Sequence, residues 1–278
     1  MLIGIDIGGS TTKIIGFKNK NLTEPMVVKA SDPVASASGA LGKFLTTTHT
    51  PLQDVTKLMV TGVGSDFLPD NLLGLPLTRV QEFQAVGFGG LYLSGLQKAV
   101  IVSMGTGTAL IKANQRCIAH LGGTGVGGGT ITGLSKALIN ISDFKTIIEM
   151  ASEGILDNVD LRIQDISPAE IGILSADITA SNFGKMNDSA SRNDICLGIL
   201  NLVFQTVGMM SIFAARNEND KDIVLTGHLA NIPQARVVFK RLADLFKVEF
   251  HFPAHAEYAT AIGAAILFTI DDYLPLPA

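Results

Sequence analysis

Cysteine is scarce in this 278-residue chain, which has only Cys117 and Cys196. A zinc site or a thiol redox motif would need paired cysteines such as CxxC, and a secreted disulfide scaffold would need a higher density of them. The two isolated cysteines therefore argue against these classes and favour a reducing, cytoplasmic location.

The sequence also lacks any run that is rich in lysine or arginine. It has 21 Lys and Arg residues against 25 Asp and Glu residues, which gives a net charge of −4. Proteins that bind nucleic acid or an anionic membrane usually carry a basic patch. We therefore expect neither partner and favour a small molecule.

No basic segment precedes an apolar stretch at the N-terminus, so we expect no signal peptide. The most apolar long run extends from Ile195 to Phe213, and its length approaches that of a membrane span. Polar side chains lie near its centre, at Asn201, Gln205 and Thr206. Because polar groups are costly in lipid, this run predicts a buried or interface helix, without a membrane partner.

The first third of the chain has the pattern of an α/β protein. It opens with a strand (LIGIDI), a glycine turn (GGSTT) and a second strand (KIIGF). Asp32 and Pro33 are an N-cap and N1 pair that predicts a helix running towards Phe44. A short apolar strand (KLMVTG) and a helix from Val80 to Leu93 are predicted next.

The opening pattern occurs a second time in AVIVSMGTGTALIKA, which begins at Ala99. Aligning IDIGGSTTKII with VSMGTGTALIK places two glycine turns in register. The matched pairs are Gly8 with Gly105, Ser10 with Gly107 and Thr11 with Thr108. Two similar strand-turn-strand units predict two topologically related halves, each with one loop.

The rest of the chain predicts further helices and one buried strand. Helices are expected from Thr130 to Ile139, from about Ser142, and from Ala256 to Phe268, and a strand with a glycine turn is expected in DIVLTGHLA. No low-complexity linker separates the halves. We therefore expect one compact unit with a cleft.

Tight glycine turns expose several backbone N–H groups in one direction, and such a nest binds phosphate oxygens. Hydroxyl groups at Ser10, Thr11, Thr106 and Thr108 would add donors. Either turn alone would be interpreted as an ordinary hairpin. The presence of two matching turns favours phosphate binding.

Asp6 lies in an apolar strand just before the first turn. An unpartnered buried carboxylate is costly, and at this position it could contact Mg²⁺ held mostly by water and phosphate. Lys13, on the strand that leaves the turn, could pair with phosphate or with Asp6. The alternative for Asp6 is a hydrogen-bonding role without a metal.

A glycine-rich stretch, HLGGTGVGGGT, runs from His120 to Thr130. Gly123, Gly125 and Gly128 satisfy GxGxxG, and Asp143 lies where a dinucleotide site has its ribose-binding acid. That acid should end a parallel strand, whereas Ser142 and Asp143 predict a helix start. We therefore reject a dinucleotide site and predict a loop whose bare amides and following helix N-terminus approach an anion.

Glu82 is the best candidate for a general base. It begins a helix between the two loops, and an alcohol acceptor in phosphoryl transfer needs a carboxylate to orient it and take its proton. The alternative is a glutamate that only complements the helix dipole.

Together these segments resemble a known family. IGIDIGGSTTKII, VSMGTGTAL and DIVLTGHLA resemble the phosphate-1, phosphate-2 and adenosine motifs of the actin, Hsp70 and sugar-kinase superfamily. With VQEFQA, LGGTGVGGGTITGL and DITASNFG, they are similar to type II pantothenate kinase. The similarity extends from Leu2 to the last predicted helix.

The resemblance implies an α/β fold with duplicated ribonuclease-H-like halves, residues 1–112 and 113–278, and an ATP cleft between them. It further implies ATP and Mg²⁺ as cofactors, pantothenate as substrate, and a homodimer formed largely by a helix from Asn187 to Asn217. Asp6 would hold the metal, and Glu82 would be the catalytic base. The implied ATP-binding residues are Asp6, Ile7, Gly8, Gly9, Ser10, Thr11, Thr12, Lys13, Gly105, Thr106, Gly107, Thr108, Gly127, Gly128, Gly129, Thr130, Ile131, Thr132, Phe144, Gly227 and His228. The implied substrate-binding residues are Glu82, Thr106, His120 and Gly125.

One residue departs from the family pattern. The family usually has an arginine before the hydrophobic-Gly-Gly segment, where it reaches the pantothenate carboxylate, and this chain has His120. An imidazole offers one point contact where a guanidinium offers a charged fork. His120 is therefore either a weaker ligand for the acceptor or a strand-end residue without a ligand role.

Three alternatives to pantothenate phosphorylation remain. One is a kinase on the same fold for another small hydroxylated metabolite, supported by His120. Another is an ATP-driven dehydratase activator, which would need cysteines for an iron–sulfur cluster. The third is a silent nucleotide-binding module, against which Asp6 and Glu82 argue.

Overall fold

The protein folds into two large mixed β-sheets with helices packed around them. The structure is a computed structural model that describes residues 1–18, 21–29, 32–167 and 175–267. The strands are β1 (Leu2–Ile7), β2 (Thr12–Lys18), β3 (Asn21–Leu22), β4 (Met26–Val28), β5 (Lys57–Thr61), β6 (Asn71–Leu72), β7 (Leu75–Arg79), β8 (Lys98–Met104), β9 (Thr108–Asn114), β10 (Cys117–Thr124), β11 (Leu161–Arg162), β12 (Thr179–Ser181), β13 (Asp222–Thr226) and β14 (Glu249–His251). The helices are α1 (Pro33–Thr47), α2 (Glu82–Ser94), α3 (Gly128–Ile139), α4 (Phe144–Ala151), α5 (Ile163–Ile166), α6 (Arg192–Asn217), α7 (Pro233–Phe246) and α8 (Ala259–Ile266).

The two large sheets have the same strand order. The first runs β3-β2-β1-β5-β7, with β6 added at its edge and β4 paired to β2, and the second runs β10-β9-β8-β13-β14. In both, three antiparallel strands are followed by two that continue in parallel from the central strand. The predicted duplication of an α/β half is therefore confirmed.

The duplication includes a second pair of turns that the sequence comparison missed. Gly62 follows β5 with φ +87°, and Gly227 follows β13 with φ +86°. A Cβ at Gly62 would lie 2.6 Å from the carbonyl oxygen of Ile7, and one at Gly227 would lie 2.4 Å from that of Met104. Both positions therefore require glycine, and the tripeptides VTG and LTG are their signal in the sequence.

The expected boundary at residue 112 falls inside a sheet. Lys112 belongs to β9, where it pairs with Val100 of β8 and Ala119 of β10. A division there would cut the second sheet. The chain passes from one sheet to the other through α2, so we propose that helix as the connection between the halves.

Helices α2 and α8 cross between the sheets at very short range. A Cβ at Gly89 would lie 1.8 Å from the carbonyl oxygen of Ala259, and one at Gly263 would lie 1.8 Å from that of Ala85. The glycine residues at this crossing therefore allow two helix backbones to approach each other closely. Phe268, the predicted end of the last helix, lies outside the described residues.

The long apolar run forms α6, as predicted. By length and composition α6 could cross a membrane, but 61% of its most apolar 18-residue segment is buried within the protein, as in a core helix. Phe213 is its only exposed large apolar residue. Packing within the chain therefore accounts for most of its apolar surface.

Asp160 forms hydrogen bonds both with Asn201, a polar residue at the centre of α6, and with the DITASNFG motif. Its buried carboxylate accepts hydrogen bonds from Asn201 Nδ2 at 2.7 Å, from the Phe183 backbone N–H at 2.9 Å and from Asn182 Nδ2 at 3.1 Å. A buried charge needs such partners. The motif therefore attaches the segment around β12 to α6.

Candidate active site

The first glycine turn lies between β1 and β2, which remain paired up to the turn itself. The N–H of Gly8 donates to the carbonyl oxygen of Thr11 at 3.0 Å, and Gly8, Gly9 and Ser10 are exposed. A Cβ at Gly9 would have no neighbour within 4 Å. The turn is therefore open to a ligand, as predicted for a phosphate loop.

Asp6 and Lys13 lie opposite each other at the base of this turn. Lys13 Nζ is 3.8 Å from Asp6 Oδ2. Burial raises the pKa of the Asp6 carboxyl, and the nearby charge of Lys13 offsets part of that effect. The pair therefore keeps a carboxylate and a cation together at the end of the central strand.

The second turn, Gly105 to Gly107, is covered by the N-terminus of α3. The N–H groups of Gly128 and Gly129 donate to the carbonyl oxygens of Gly105 and Thr106, both at 2.9 Å. These amides are therefore occupied within the protein. The expectation that they approach phosphate directly is wrong for these two positions.

Several glycines of the glycine-rich stretch serve this backbone packing. A Cβ at Gly127 would lie 2.7 Å from the carbonyl oxygen of Thr106, and one at Gly123 would lie 2.5 Å from that of Thr108. At Gly125 there is open space. Most of the bare backbone thus contacts the chain itself, and Gly125 stays accessible to an acceptor.

A helix begins directly after Asp143, as the sequence predicted. The Asp143 carboxylate accepts the N–H of Thr146 at 2.9 Å and caps α4. Asp143 therefore does not end a parallel strand, which a ribose-binding acid would need.

Three predicted nucleotide-binding residues have side chains that are at most 1% exposed. Ile7 and Thr12 are each 1% exposed, and Ile131 is fully buried. Any contact of these residues with a nucleotide must therefore come from the backbone. The hydroxyls of Thr130 and Thr132 donate to the carbonyl oxygens of Gly125 and Gly128.

Glu82 begins α2, as predicted, and its side chain is exposed. Partial desolvation raises the pKa of the Glu82 carboxyl, the charge of Asp6 raises it further, and the charge of Lys13 lowers it. The structure therefore brings Glu82 within electrostatic range of both charged residues of the first turn. A helix-dipole role alone would not require this proximity.

The predicted adenine side contains Phe144 and His228, whose ring centroids are 5.3 Å apart. No sequence pattern indicated Glu257, whose Oε2 is 3.2 Å from His228 Nδ1. The hydrogen bond and charge of His228 lower the pKa of Glu257, with a further contribution from the charge of Lys13. Glu257 is thus paired with a residue of the predicted adenine side.

His120 stacks on Phe83, the residue after Glu82. The ring centroids are 4.1 Å apart and the planes differ by 3°. His120 is nevertheless exposed, so part of its ring remains open to solvent. No spacing rule would have paired residues 83 and 120.

Comparisons with known proteins agree with these features. The family profile described as Fumble matches residues 96–267. The type II pantothenate kinase of Bacillus cereus strain G9842 is 30% identical over 241 residues, which cover 81% of this chain and 82% of the relative. That of Staphylococcus saprophyticus subsp. saprophyticus is 28% identical over 274 residues, with coverage of 95% and 99%.

A solved structure shows the same fold. The activator of the 2-hydroxyisocaproyl-CoA dehydratase from Clostridium difficile, with bound ADPNP, superposes with a TM-score of 0.66. It covers 98% of this chain and 95% of its own, at 17% identity. At that identity the similarity concerns the fold alone, and it agrees with the predicted fold of two related α/β halves.

Proposed function

Because the chain belongs to the type II pantothenate kinase family, we propose that it transfers the terminal phosphoryl group of ATP to the primary hydroxyl of pantothenate, the first step of coenzyme A biosynthesis, with Glu82 as general base. The observation that carries the proposal is the family membership, and the charges of Asp6 and Lys13 that act on Glu82 support the base assignment. A carboxylate beside a phosphate loop is the arrangement that an alcohol acceptor requires.

In this proposal each loop has a separate task. The first turn, with the Lys13 ammonium, binds the phosphates, and the second turn with Thr106 lies where phosphate and acceptor meet. Phe144, Gly227 and His228 line the adenine. Phosphoryl transfer depends mainly on such positioning and charge stabilisation.

Glu82 would act on the proton of the acceptor. The carboxylate accepts a hydrogen bond from the primary hydroxyl and takes its proton as the oxygen bonds to phosphorus. The bond from that phosphorus to the bridging oxygen of ADP breaks, and ADP leaves with the electron pair. A raised pKa makes Glu82 a stronger proton acceptor than an ordinary glutamate.

The residues around Asp6 fit a Mg²⁺ ion. Asp6 offers carboxylate oxygens, which Mg²⁺ prefers together with water and phosphate. Thr61, opposite Asp6 in the sheet, has a buried hydroxyl oxygen with no hydrogen-bond partner among the described residues. When bound, Mg²⁺ would neutralise charge on the transferring phosphoryl group.

A metabolite screen tests the proposed function. ATP consumption should depend on Mg²⁺ and appear with pantothenate or pantetheine, and phosphopantothenate should be the product with the former. If a sugar supported turnover while pantothenate and pantetheine did not, the chain would instead be a kinase for another small hydroxylated metabolite. The dehydratase-activator alternative is disfavoured because Cys196 is fully buried and leaves Cys117 as the single exposed cysteine.

His120→Arg should lower the KM for pantothenate by about tenfold, because a guanidinium binds a carboxylate through a charged fork. This effect requires that the open edge of His120 faces the acceptor carboxylate, close to Gly125. Steady-state kinetics with pantothenate and with pantetheine, which has an amide in place of the carboxylate, would measure it. An equal change for both acceptors, or none, would argue for a residue without a ligand role.

On the acidic side of the pH profile, the midpoint of the loss of activity should lie above the pKa of an ordinary glutamate, about 4.3. Glu82 must be ionised to accept a proton, and desolvation and Asp6 raise its pKa, so kcat/KM for pantothenate should rise with pH through that higher value. Lys13→Met should move the midpoint to still higher pH, because the Lys13 charge lowers the pKa of Glu82. A wild-type midpoint at or below about 4.3 would contradict the assignment of Glu82 as the general base.

We further propose a cytoplasmic homodimer. The absence of paired cysteines supports the location. Exposed apolar side chains at Ile155, Met186 and Phe213, near and on α6, support a contact between copies. Sedimentation equilibrium should give twice the chain mass of 29.3 kDa.

A further inference from the structure

The Phe83–His120 stack is the pair formed by these two parallel rings, 4.1 Å apart. Phe83 lies in the first turn of α2, directly after Glu82, and His120 lies in β10. The stack therefore joins the turn that carries the proposed base to the sheet that carries the second glycine turn.

The contact follows from how β10 and α2 run past each other. Ile118 and His120 are two residues apart in a strand, so their side chains face the same side. Ile118 packs at Gly87, where a Cβ would lie 2.7 Å from its Cδ1. Two strand residues span about 6.7 Å and four helix residues about 6 Å, so His120 meets Phe83, one turn before Gly87.

A β-bulge follows His120 directly. The register of β10 against β9 shifts between His120 and Gly122, which leaves Leu121 as an extra residue. Gly122 has φ +145°, a value that favours glycine. Bulges often redirect side chains beside active sites. His120 is thus the last β10 side chain on this face before the alternation changes.

The Glu82 carboxylate has few other constraints. Among the described residues, none forms a hydrogen bond or an ion pair with it. The first turn of α2 is capped by Gln81, whose side-chain oxygen accepts the N–H of Gln84 at 2.8 Å. The direction in which Glu82 points therefore depends on how this turn is fixed.

Building on the proposed kinase function, we propose that His120 is a positioning residue. Its ring, stacked on Phe83, fixes the first turn of α2 and holds the Glu82 carboxylate at the acceptor hydroxyl. This role uses the face of the imidazole and leaves its edge open. The stack acts on the proton acceptor, so it should affect kcat with any acceptor that presents its hydroxyl to Glu82.

Kinetics of four variants with pantothenate and pantetheine test this role. His120→Ala should lower kcat about fivefold to tenfold with both acceptors. His120→Phe, which keeps an aromatic ring, should restore most of kcat while KM for pantothenate rises. Phe83→Leu should resemble His120→Ala, and the double variant Phe83→Leu/His120→Ala should show no further loss, because both changes remove one contact.

The controls separate positioning from folding and from substrate contact. Arg116→Ala, in the exposed β9–β10 turn, should keep wild-type kinetics, and urea midpoints should show that every variant is folded. Unchanged kcat in His120→Ala, or kcat as low in His120→Phe as in His120→Ala, would overturn the positioning role. Failure of the wild type with both acceptors would overturn the proposed function, and this inference with it.

Discussion

Glu82→Gln should reduce kcat by about 10²- to 10⁴-fold while the affinity for ATP stays within about twofold. The amide fills the same space but cannot take the proton of the acceptor hydroxyl. The Glu82 side chain forms no hydrogen bond among the described residues, so nucleotide binding at the first turn should not depend on it. Single-turnover phosphorylation and equilibrium nucleotide binding would measure the two effects separately.

The same substitution should also make the protein slightly more stable at neutral pH. The pKa of Glu82 is raised by desolvation and by Asp6, so its ionised form is unfavourable in the folded state and a neutral amide removes that cost. Gln84→Ala, at an exposed side chain in the same turn, is the matched control and should leave turnover unchanged. Retained activity in Glu82→Gln would reject the base assignment.

Gly263→Ala should lower the free energy of unfolding by about 3 kcal/mol, at the upper end of overpacking effects. The new Cβ would lie 1.8 Å from the carbonyl oxygen of Ala85. Backbone atoms on both sides cannot rotate away, so α2 and α8 would have to separate. Urea unfolding monitored by circular dichroism would measure the loss, with a fall in Tm of about 6–12 °C.

Gly39→Ala is the matched control for this effect. It makes the same change inside a helix, α1, where the new Cβ meets no atom within 4 Å. It should therefore raise the free energy of unfolding by about 0.5–1 kcal/mol, because alanine is the better helix former. Equal effects of the two substitutions would contradict the close crossing of α2 and α8.

The crossing also matters for activity, because α2 begins with Glu82. A shift of α2 away from α8 would move the proposed base relative to Asp6 and Lys13. We therefore expect any folded Gly263→Ala protein to lose kcat more than affinity for ATP. In this way the packing of two backbones supports the geometry of the site.

Local signals predicted many elements correctly. Asp32 caps α1, with its side chain accepting the N–H of Ala35, and Asp143 caps α4 in the same way. A cap depends on a residue and the N–H group three positions later, so the sequence alone contains the information. The strand-turn-strand units could be recognised for the same reason.

The roles of the glycines could not be predicted in the same way. The sequence indicated a loop beside a helix start, but not which partner the amides of Gly128 and Gly129 would find. That partner is the second turn, some twenty residues earlier in the chain. The equivalence of Gly62 and Gly227 likewise follows only from the matching strand order of the two sheets.

The sequence by itself determined the duplicated α/β architecture, the two glycine turns and the residues Asp6, Lys13 and Glu82, because these depend on short-range patterns and on motifs that resemble a known family. Only the tertiary structure decided that the charges of Asp6 and Lys13 act on Glu82, that Glu257 pairs with His228 and that His120 stacks on Phe83. These contacts join residues that are 29 or more positions apart. They form because two sheets and the crossed helices α2 and α8 fix the distances between segments, and no local pattern encodes those distances.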